Sequence, residues 1–290
     1  MDVFVAAAHA KLNLSLAITG RRPDGFHELV SLVVTVGLAD TLTLDPSRPS
    51  GLTCDDASLP TDGTNLVLKA AAAYARRRPG VTGHFHLTKR IPHGAGLGGG
   101  SADAAAALRL LDQASGDPLG VAALEAMAAE VGSDCPFFVT GQAAVMRGRG
   151  EQLQALPASA RASLAGRSVV LVKPPFGVST PEAYALLVRA GRYRPAAQAE
   201  AELASWLAAP GGDPCAMGND LAAPVFRKHL ALPAGLACLG QATGATWHLT
   251  GSGSACFALV EARFNHARLA AELRRTWGPG AWSAATVISG

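Results

Sequence analysis

The chain has 290 residues, of which 49% are hydrophobic and 16% are charged, and its formal net charge is +3. This length accommodates one large domain or two of ordinary size, and the apolar content excludes wholesale disorder. The small net charge and the scattered basic residues argue against nucleic acid as a partner.

The five cysteines show no CxxC motif and no paired spacing. This pattern predicts a reducing compartment and neither a disulfide framework nor a zinc site. The first residues read as a strand rather than a signal peptide, and no apolar stretch is long enough to span a bilayer. We therefore expect a cytoplasmic protein without a membrane partner, either a monomer or a homodimer.

The first predicted strand runs from residue 11 to residue 18, where apolar and polar residues alternate strictly. Lys11 and Asn13 therefore share one face of the strand, opposite a row of aliphatic side chains. Before residue 90 the pattern also predicts a turn at 22–25, strands at 29–38 and 40–45, a helix at 65–78 and a strand at 84–88.

Five glycines fall between positions 94 and 100, a segment that we call the glycine loop. The loop follows a predicted strand and precedes an alanine-rich helix, which we expect to start with Ser101 as its N-cap and to end near residue 114. This order favours phosphate binding, because glycines let backbone N–H groups approach an anion and the helix adds unsatisfied donors.

Three alternatives compete with this interpretation. A P-loop is excluded because no lysine follows the glycines. Gly94, Gly96 and Gly99 satisfy the dinucleotide pattern G-x-G-x-x-G, but a second helix follows where that fold needs a strand ending in an acidic residue. A flexible linker ranks below phosphate binding, since linkers rarely join a strand to a strong helix.

Beyond the loop, helices are predicted at 118–131, from 181 onward and at 265–276. Strands are predicted at 137–139, 143–148, 168–174, 247–250, 255–260 and near 284–288. A small, polar segment at 157–167 suggests a boundary between a domain at 1–157 and a domain at 158–290. Strands and helices alternate without a regular βαβ order, which predicts an α+β fold.

Several segments resemble the GHMP kinases, a superfamily of ATP-dependent small-molecule kinases. KRIPHGAGLGGGSADAA (89–105) is similar to their phosphate loop, and LTGSGSACFAL (249–259) to a later motif that packs beside it. Further segments resemble the branch whose acceptor is 4-diphosphocytidyl-2-C-methyl-D-erythritol: AKLNL (10–14), RPDGFHEL (22–29), GSDCPFF (132–138), KPPFGVSTPEAY (173–184) and GNDL (218–221).

The resemblance implies an N-terminal ATP-binding domain and a C-terminal α/β-sandwich, ferredoxin-like domain, with a last strand that returns to the first domain. It implies transfer of the γ-phosphate of ATP, with Mg²⁺ bridging the phosphates, to the 2-hydroxyl of the acceptor. That reaction belongs to the non-mevalonate route to isoprenoid precursors, and the acceptor is expected in a cleft between the domains.

The resemblance also implies roles for individual residues. Asp134 takes the hydroxyl proton, and Lys11 keeps Asp134 ionised and lowers the pKa of the hydroxyl. The acceptor is bound by Asn13, Phe26, His27 and Tyr184, with rings stacking on the cytosine and the histidine on its polar edge. ATP is bound by Asn65 near the adenine and by Pro92, His93, Gly94, Ala95, Gly96, Leu97, Gly98, Gly99, Gly100, Ser101 and Ala102. No metal ligand is assigned.

The chain departs from the family pattern at two positions. Ala102 stands where a second serine is usual, and Phe26 stands where tyrosine is usual, so each position lacks a hydroxyl. Structural roles compete with the functional ones, since Lys11 fits an ordinary solvent-facing lysine, Asp134 a turn aspartate and Asn65 a helix N-cap. A homoserine- or mevalonate-type kinase and a non-catalytic nucleotide-binding sensor remain alternative functions.

Overall fold

The computed structural model describes residues 2–290, and the chain divides into two compact units. Unit 1 comprises the residues up to 11 together with 38–93 and 98–142, and unit 2 comprises 12–37, 94–97 and 143–290. Both units are therefore assembled from segments that are distant in sequence. The domain boundary predicted between residues 157 and 158 stays a prediction.

Strands and helices alternate irregularly along the described residues, as an α+β fold requires. The strands are β1 (Phe4–Arg21), β2 (His27–Asp45), β3 (Gly51–Cys54), β4 (His84–Thr88), β5 (Ala144–Arg147), β6 (Gln152–Ala155), β7 (Ser168–Lys173), β8 (His248–Leu249), β9 (Cys256–Leu259) and β10 (Trp282–Val287). The helices are α1 (Leu66–Arg77), α2 (Gly99–Ala114), α3 (Val121–Val131), α4 (Phe137–Thr140), α5 (Ala158–Leu164), α6 (Thr180–Ala190), α7 (Ala196–Ala208), α8 (Ala222–Lys228), α9 (Ala231–Thr243) and α10 (His266–Trp277).

Unit 1 combines the C-terminal half of β2 with β3, β4 and the helices α1 to α4. β4 pairs antiparallel with residues 41–45 of β2 and parallel with β3. α2 packs against α1, α3 and α4. The alanines at 104–107 of α2 are completely buried, because their small side chains allow neighbouring elements to approach closely.

Unit 2 contains two sets of paired strands. Residues 31–33 of β2 pair antiparallel with β5, which in turn pairs with β6. The second set is an antiparallel sheet with the order β10–β7–β9–β8. The apolar side chains of the central strand β7 are buried. Ile288, just after β10, forms an isolated bridge with Val36 of β2.

Two local predictions are wrong. Residues 137–139 form the short helix α4 rather than a strand, because Pro136 takes a helical conformation at its N-cap and the aromatic side chains are buried in unit 1. Ser101 is not an N-cap but lies inside the first turn of α2. Gly98, with a φ of 73°, is the N-cap, since a left-handed glycine lets the helix begin earlier.

Other elements differ in extent. The two strands predicted at 29–38 and 40–45 form the single long strand β2, and the helix predicted from 118 begins at Val121. The alanine-rich helices α7 and α9 were not predicted. All five cysteines are free thiols. Among residues 2–290, no helix combines the length and the apolar character needed to cross a bilayer.

Candidate active site

Lys11 and Asp134 are brought together in unit 1, although 122 positions separate them in the numbering. Lys11 is only 5% exposed in β1. Its Nζ lies 4.0 Å from Oδ2 of Asp134, whose side chain is 42% exposed. Burial lowers the pKa of Lys11, while the charge of Asp134 opposes that shift. Lys11 is therefore not an ordinary solvent-facing lysine.

Asp134 lies in a tight turn between α3 and α4. Gly132 is the C-cap of α3, and its carbonyl accepts a hydrogen bond from the backbone N–H of Cys135 at 3.1 Å. Pro136 then begins α4. The short connection holds the backbone of Asp134 in place and leaves its carboxylate accessible to solvent, as a group that exchanges a proton with a substrate requires.

The N-terminus of α2 is suited to bind an anion. Gly98 makes no side-chain capping bond, and the first turn contains no acidic residue. The first N–H groups of the helix thus lack a side-chain acceptor and stand at the positive end of the helix dipole. Ala102 is buried, so that the serine hydroxyl usual at this position would need a partner inside unit 1.

The start of α2 is in direct contact with the Lys11–Asp134 region. A Cβ atom built on Gly98 would lie 3.0 Å from Cγ of Lys11 and 2.6 Å from Cζ of Phe138. The alkyl chain of Lys11 therefore packs against Gly98, the N-cap of α2. Unit 1 thereby brings a lysine, a carboxylate and a helix N-terminus without a side-chain cap into one place.

Residues 94–97, the first part of the glycine loop, belong to unit 2 and pack against the turn at 251–254. The N–H of Ala255 donates to the carbonyl of Ala95 at 3.0 Å. A Cβ on Gly253 would lie 2.2 Å from the carbonyl carbon of Ala95, and one on Gly96 would lie 2.8 Å from the nitrogen of Gly253. The packing of this turn beside the loop agrees with the sequence-based prediction.

The remaining residues predicted to bind ATP lie in unit 1. Asn65 is the N-cap of α1, where its Oδ1 accepts from the N–H of Val67 at 2.9 Å and its Nδ2 donates to the carbonyl of Pro60 at 2.7 Å. The N-cap interpretation is therefore confirmed. Pro92 is partly exposed and His93 is exposed beside the loop. A contact of these three residues with ATP stays a prediction.

The residues predicted to bind the acceptor lie in unit 2, where aromatic rings surround His27; we call these rings, together with the neighbouring Phe26, the aromatic cluster. The ring centroids of His27 and Tyr184 are 4.8 Å apart, and Tyr193 adds a ring 6.1 Å from His27. Phe26 is 48% exposed, and the guanidinium of Arg149 lies 5.0 Å from its ring centroid. The sequence prediction had missed Tyr193 and Arg149, since neither belongs to a recognisable motif.

His27 and Asn13 offer different chemistry in unit 2. Burial and the charge of Arg21 lower the pKa of His27, which favours a neutral imidazole. Its Nε2 is buried with no hydrogen-bond partner among the described residues. Asn13, in contrast, is committed to internal bonds: Nδ2 donates to Ser31 Oγ at 2.8 Å, and the backbone N–H donates to Thr250 Oγ1 at 2.9 Å. The role of Asn13 in binding the acceptor stays a prediction.

Residues 65–142 match the family of the GHMP kinase N-terminal domain. The chain is 40% identical over 300 residues to a 4-diphosphocytidyl-2-C-methyl-D-erythritol kinase of Methylobacterium radiotolerans, covering 99% of this chain and 100% of the relative. The identity to the enzyme of that name from Azorhizobium caulinodans is 39% over 297 residues, with the same coverage.

Solved structures agree with these relatives. A crystal structure of 4-(cytidine 5'-diphospho)-2C-methyl-D-erythritol kinase superposes with a TM-score of 0.75 at 36% identity, covering 99% of this chain and 100% of the other. A homoserine kinase from Cytophaga hutchinsonii reaches a TM-score of 0.63 at 20% identity, covering 99% and 95%. The second likeness concerns the fold alone.

Proposed function

The chain belongs to the 4-diphosphocytidyl-2-C-methyl-D-erythritol kinases of the GHMP superfamily, and we propose that it transfers the γ-phosphate of ATP to the 2-hydroxyl of 4-diphosphocytidyl-2-C-methyl-D-erythritol. The products are ADP and the 2-phosphate, in the non-mevalonate route to isoprenoid precursors. The observation that carries this proposal is the Lys11–Asp134 pair, 4.0 Å apart and packed against the uncapped start of α2. A cytoplasmic location and a monomeric or homodimeric state are part of the proposal.

In the proposed reaction, Asp134 accepts the proton of the acceptor hydroxyl. The hydroxyl oxygen forms a bond to the γ-phosphorus of ATP, and the bond to the leaving ADP oxygen breaks. Lys11 stabilises the ionised Asp134 and the oxygen as it loses its proton, because a buried ammonium acts more strongly than one in water.

ATP is held in the proposal by residues 92–102. Backbone N–H groups of the glycine loop and the first turn of α2 bind the triphosphate, because these donors and the positive end of the helix dipole attract phosphate. A bound magnesium ion would offset phosphate charge. Among residues 2–290 no group of three or more histidine, cysteine, aspartate or glutamate side chains is arranged to hold a metal. Since Mg²⁺ is commonly held by phosphates, water and only one or two carboxylates, the proposal names no protein ligand for it.

The acceptor's cytosine is assigned to the aromatic cluster of unit 2. Phe26 and Tyr184 provide flat faces for stacking, and the unpaired Nε2 of His27 provides a hydrogen-bonding group for the polar edge of a base. The aromatic cluster is suited to bind a flat group with polar edges. Homoserine and mevalonate contain no such group, and this difference favours the cytidine-containing acceptor over them.

Release of ADP from MgATP in the presence of different alcohols tests the proposed function. We expect 4-diphosphocytidyl-2-C-methyl-D-erythritol to stimulate release strongly, and homoserine and mevalonate to have no effect. Stimulation by homoserine or mevalonate alone would refute the proposed substrate. A protein that binds ATP but releases no ADP with any alcohol would instead be a nucleotide-binding sensor.

The pKa of Lys11 leads to a prediction about the alkaline side of the pH profile. The ammonium is present below its pKa and lost above it, and burial lowers that pKa. We therefore expect kcat to decrease as the pH rises, with a midpoint below about 10.4, the usual pKa of lysine. Stopped-time assays across the neutral and alkaline range measure this decline. Lys11→Arg, whose charge does not titrate in this range, should remove the decline. If kcat of the arginine variant declined over the same pH range as that of the wild type, the decline would come from a group other than Lys11.

A further inference from the structure

Three charged side chains are buried in unit 1 on either side of the glycine loop. Lys89 precedes the loop, Asp103 follows it in α2, and Asp40 lies in β2. Asp40 and Asp103 are 0% and 3% exposed. The Nζ of Lys89 donates to Oδ2 of Asp103 at 2.8 Å and also to Oδ2 of Asp40. One ammonium thus links two carboxylates that come from different elements.

Asp40 also binds the backbone just before the loop. Its Oδ1 accepts from the N–H of Arg90 at 2.5 Å and from the N–H of Ile91 at 2.8 Å. Two consecutive amides and the side chain of Lys89 are therefore attached to one buried carboxylate. This arrangement fixes the direction in which the chain enters the loop.

The end of the loop is tied to the same cluster. Asp103 lies near the start of α2, one turn after Gly99. A Cβ on Gly99 would lie 3.1 Å from Cγ2 of Ile91 and 3.3 Å from Nζ of Lys89. The first residue of the helix therefore packs directly against the residues that enter the loop, and Lys89 binds the helix one turn further along.

A purely stabilising role does not account for this cluster. Burying charges carries a desolvation cost, and replacing a buried ion pair by apolar side chains is often neutral or favourable for stability. Burial raises the pKa of Asp103; the charge of Lys89 opposes this shift, and that of Asp40 adds to it. What the cluster does provide is a fixed geometry at both ends of the glycine loop.

We propose that Lys89, Asp40 and Asp103 form a clasp that holds both ends of the glycine loop in the conformation that binds a nucleoside triphosphate. The three are positioning residues, since they act through the backbone of the loop. Preorganised donors lose less entropy when the anion binds. The inference rests on the proposed function only in assigning the triphosphate to this loop.

The decisive variant combines Lys89→Met with Asp103→Leu. It removes the ion pair that joins the two ends of the loop. Asp40 keeps its hydrogen bonds from the backbone N–H groups of Arg90 and Ile91. Asp40 then lacks the ammonium that balances its buried charge, so we expect a lower guanidinium midpoint than in the wild type, and binding is measured without denaturant after circular dichroism has shown that the variant is folded. Titration calorimetry with ADP and with a non-hydrolysable ATP analogue should show affinities weakened by about tenfold or more.

Asp112→Asn is the matched control, because Asp112 is a second buried aspartate near the other end of α2. Its Oδ1 accepts from Tyr74 Oη at 3.0 Å and from the N–H of Leu119 at 2.8 Å. This variant should lose stability yet keep its nucleotide affinities within about twofold. Unchanged affinities in the double variant, or an equal loss in the Asp112 variant, would overturn the clasp.

Asp103→Asn provides the measurement if the double variant does not fold. It keeps the shape of the side chain and weakens the bond to Lys89, so we expect a smaller loss of affinity, about threefold. No loss at all would overturn the proposal. None of these titrations uses the acceptor. A wild-type protein inactive on 4-diphosphocytidyl-2-C-methyl-D-erythritol would therefore refute the proposed substrate and leave the clasp intact.

Discussion

Asp134→Asn should lower kcat by about 10²–10⁴-fold, the typical contribution of a general base. The amide has the same shape as the carboxylate but cannot take the proton of the acceptor hydroxyl. Asparagine has the same size and Asp134 is 42% exposed, so the free energy of unfolding should fall only modestly, through the lost attraction to Lys11 at 4.0 Å. Steady-state kinetics with both substrates and a denaturation curve measure the two effects.

Asp117→Asn is the control for this substitution. Asp117 is also an aspartate of unit 1, but it is 75% exposed and pairs with Arg78 at 2.6 Å. A surface ion pair contributes about 0–1 kcal/mol, so kcat should stay at the wild-type value. If Asp134→Asn kept near-normal turnover while both substrates still bound, Asp134 would not be the base, and Lys11 would need another partner.

Gly253→Ala should reduce both stability and ATP binding, because there is no space for the added methyl group. Its Cβ would lie 2.2 Å from the carbonyl carbon and oxygen of Ala95 and 2.3 Å from the nitrogen of Gly96. These neighbours are backbone atoms, which cannot move aside as a side chain would. We expect a loss of about 3 kcal/mol of unfolding free energy, the upper end for overpacking, and weaker ATP binding because the start of the glycine loop must shift.

Gly211→Ala tests whether such an effect is specific. Apart from its two chain neighbours, no described residue has an atom within 4 Å of a Cβ built on Gly211. This substitution should therefore change the unfolding free energy by no more than about 1 kcal/mol, in the stabilising direction, because alanine restricts the unfolded chain. Denaturation midpoints and ATP titrations of both variants measure the contrast. Equal behaviour of the two variants would show that the turn at 251–254 does not support the loop.

Local patterns were enough to predict much of the fold. The alternation in β1, the N-cap Asn65 of α1 and the glycines before α2 each depend on neighbours within a few positions. The segment 137–139 shows where this approach fails. Its aromatic residues favour a strand, but Pro136 and burial against the rest of unit 1 produce the helix α4.

The residues of the candidate site also fall into two groups, those that a local motif predicts and those that have no sequence signal. The sequence predicts roles for Lys11, Asp134 and the glycine loop because each lies in a short motif that resembles the GHMP kinases. Tyr193 and Arg149 could not be predicted, because their only signal is proximity in space to His27 and Phe26. Asp40 and Lys89 were equally hidden, since an aspartate in a strand and a lysine before a loop are ordinary surface residues in sequence.

The amino-acid sequence by itself determined the main elements of the first part of the chain, β1, β2, α1 and α2, and it predicted phosphate binding by residues 94–101 and proton exchange by Asp134. These properties follow from side-chain periodicity, from glycine's conformational freedom and from residue chemistry, all of which act locally. Only the tertiary structure decided that Lys11 is buried 4.0 Å from Asp134 and that Lys89 joins Asp40 to Asp103. Burial and ion pairing depend on segments far apart in the chain, and no local pattern specifies which of them will meet.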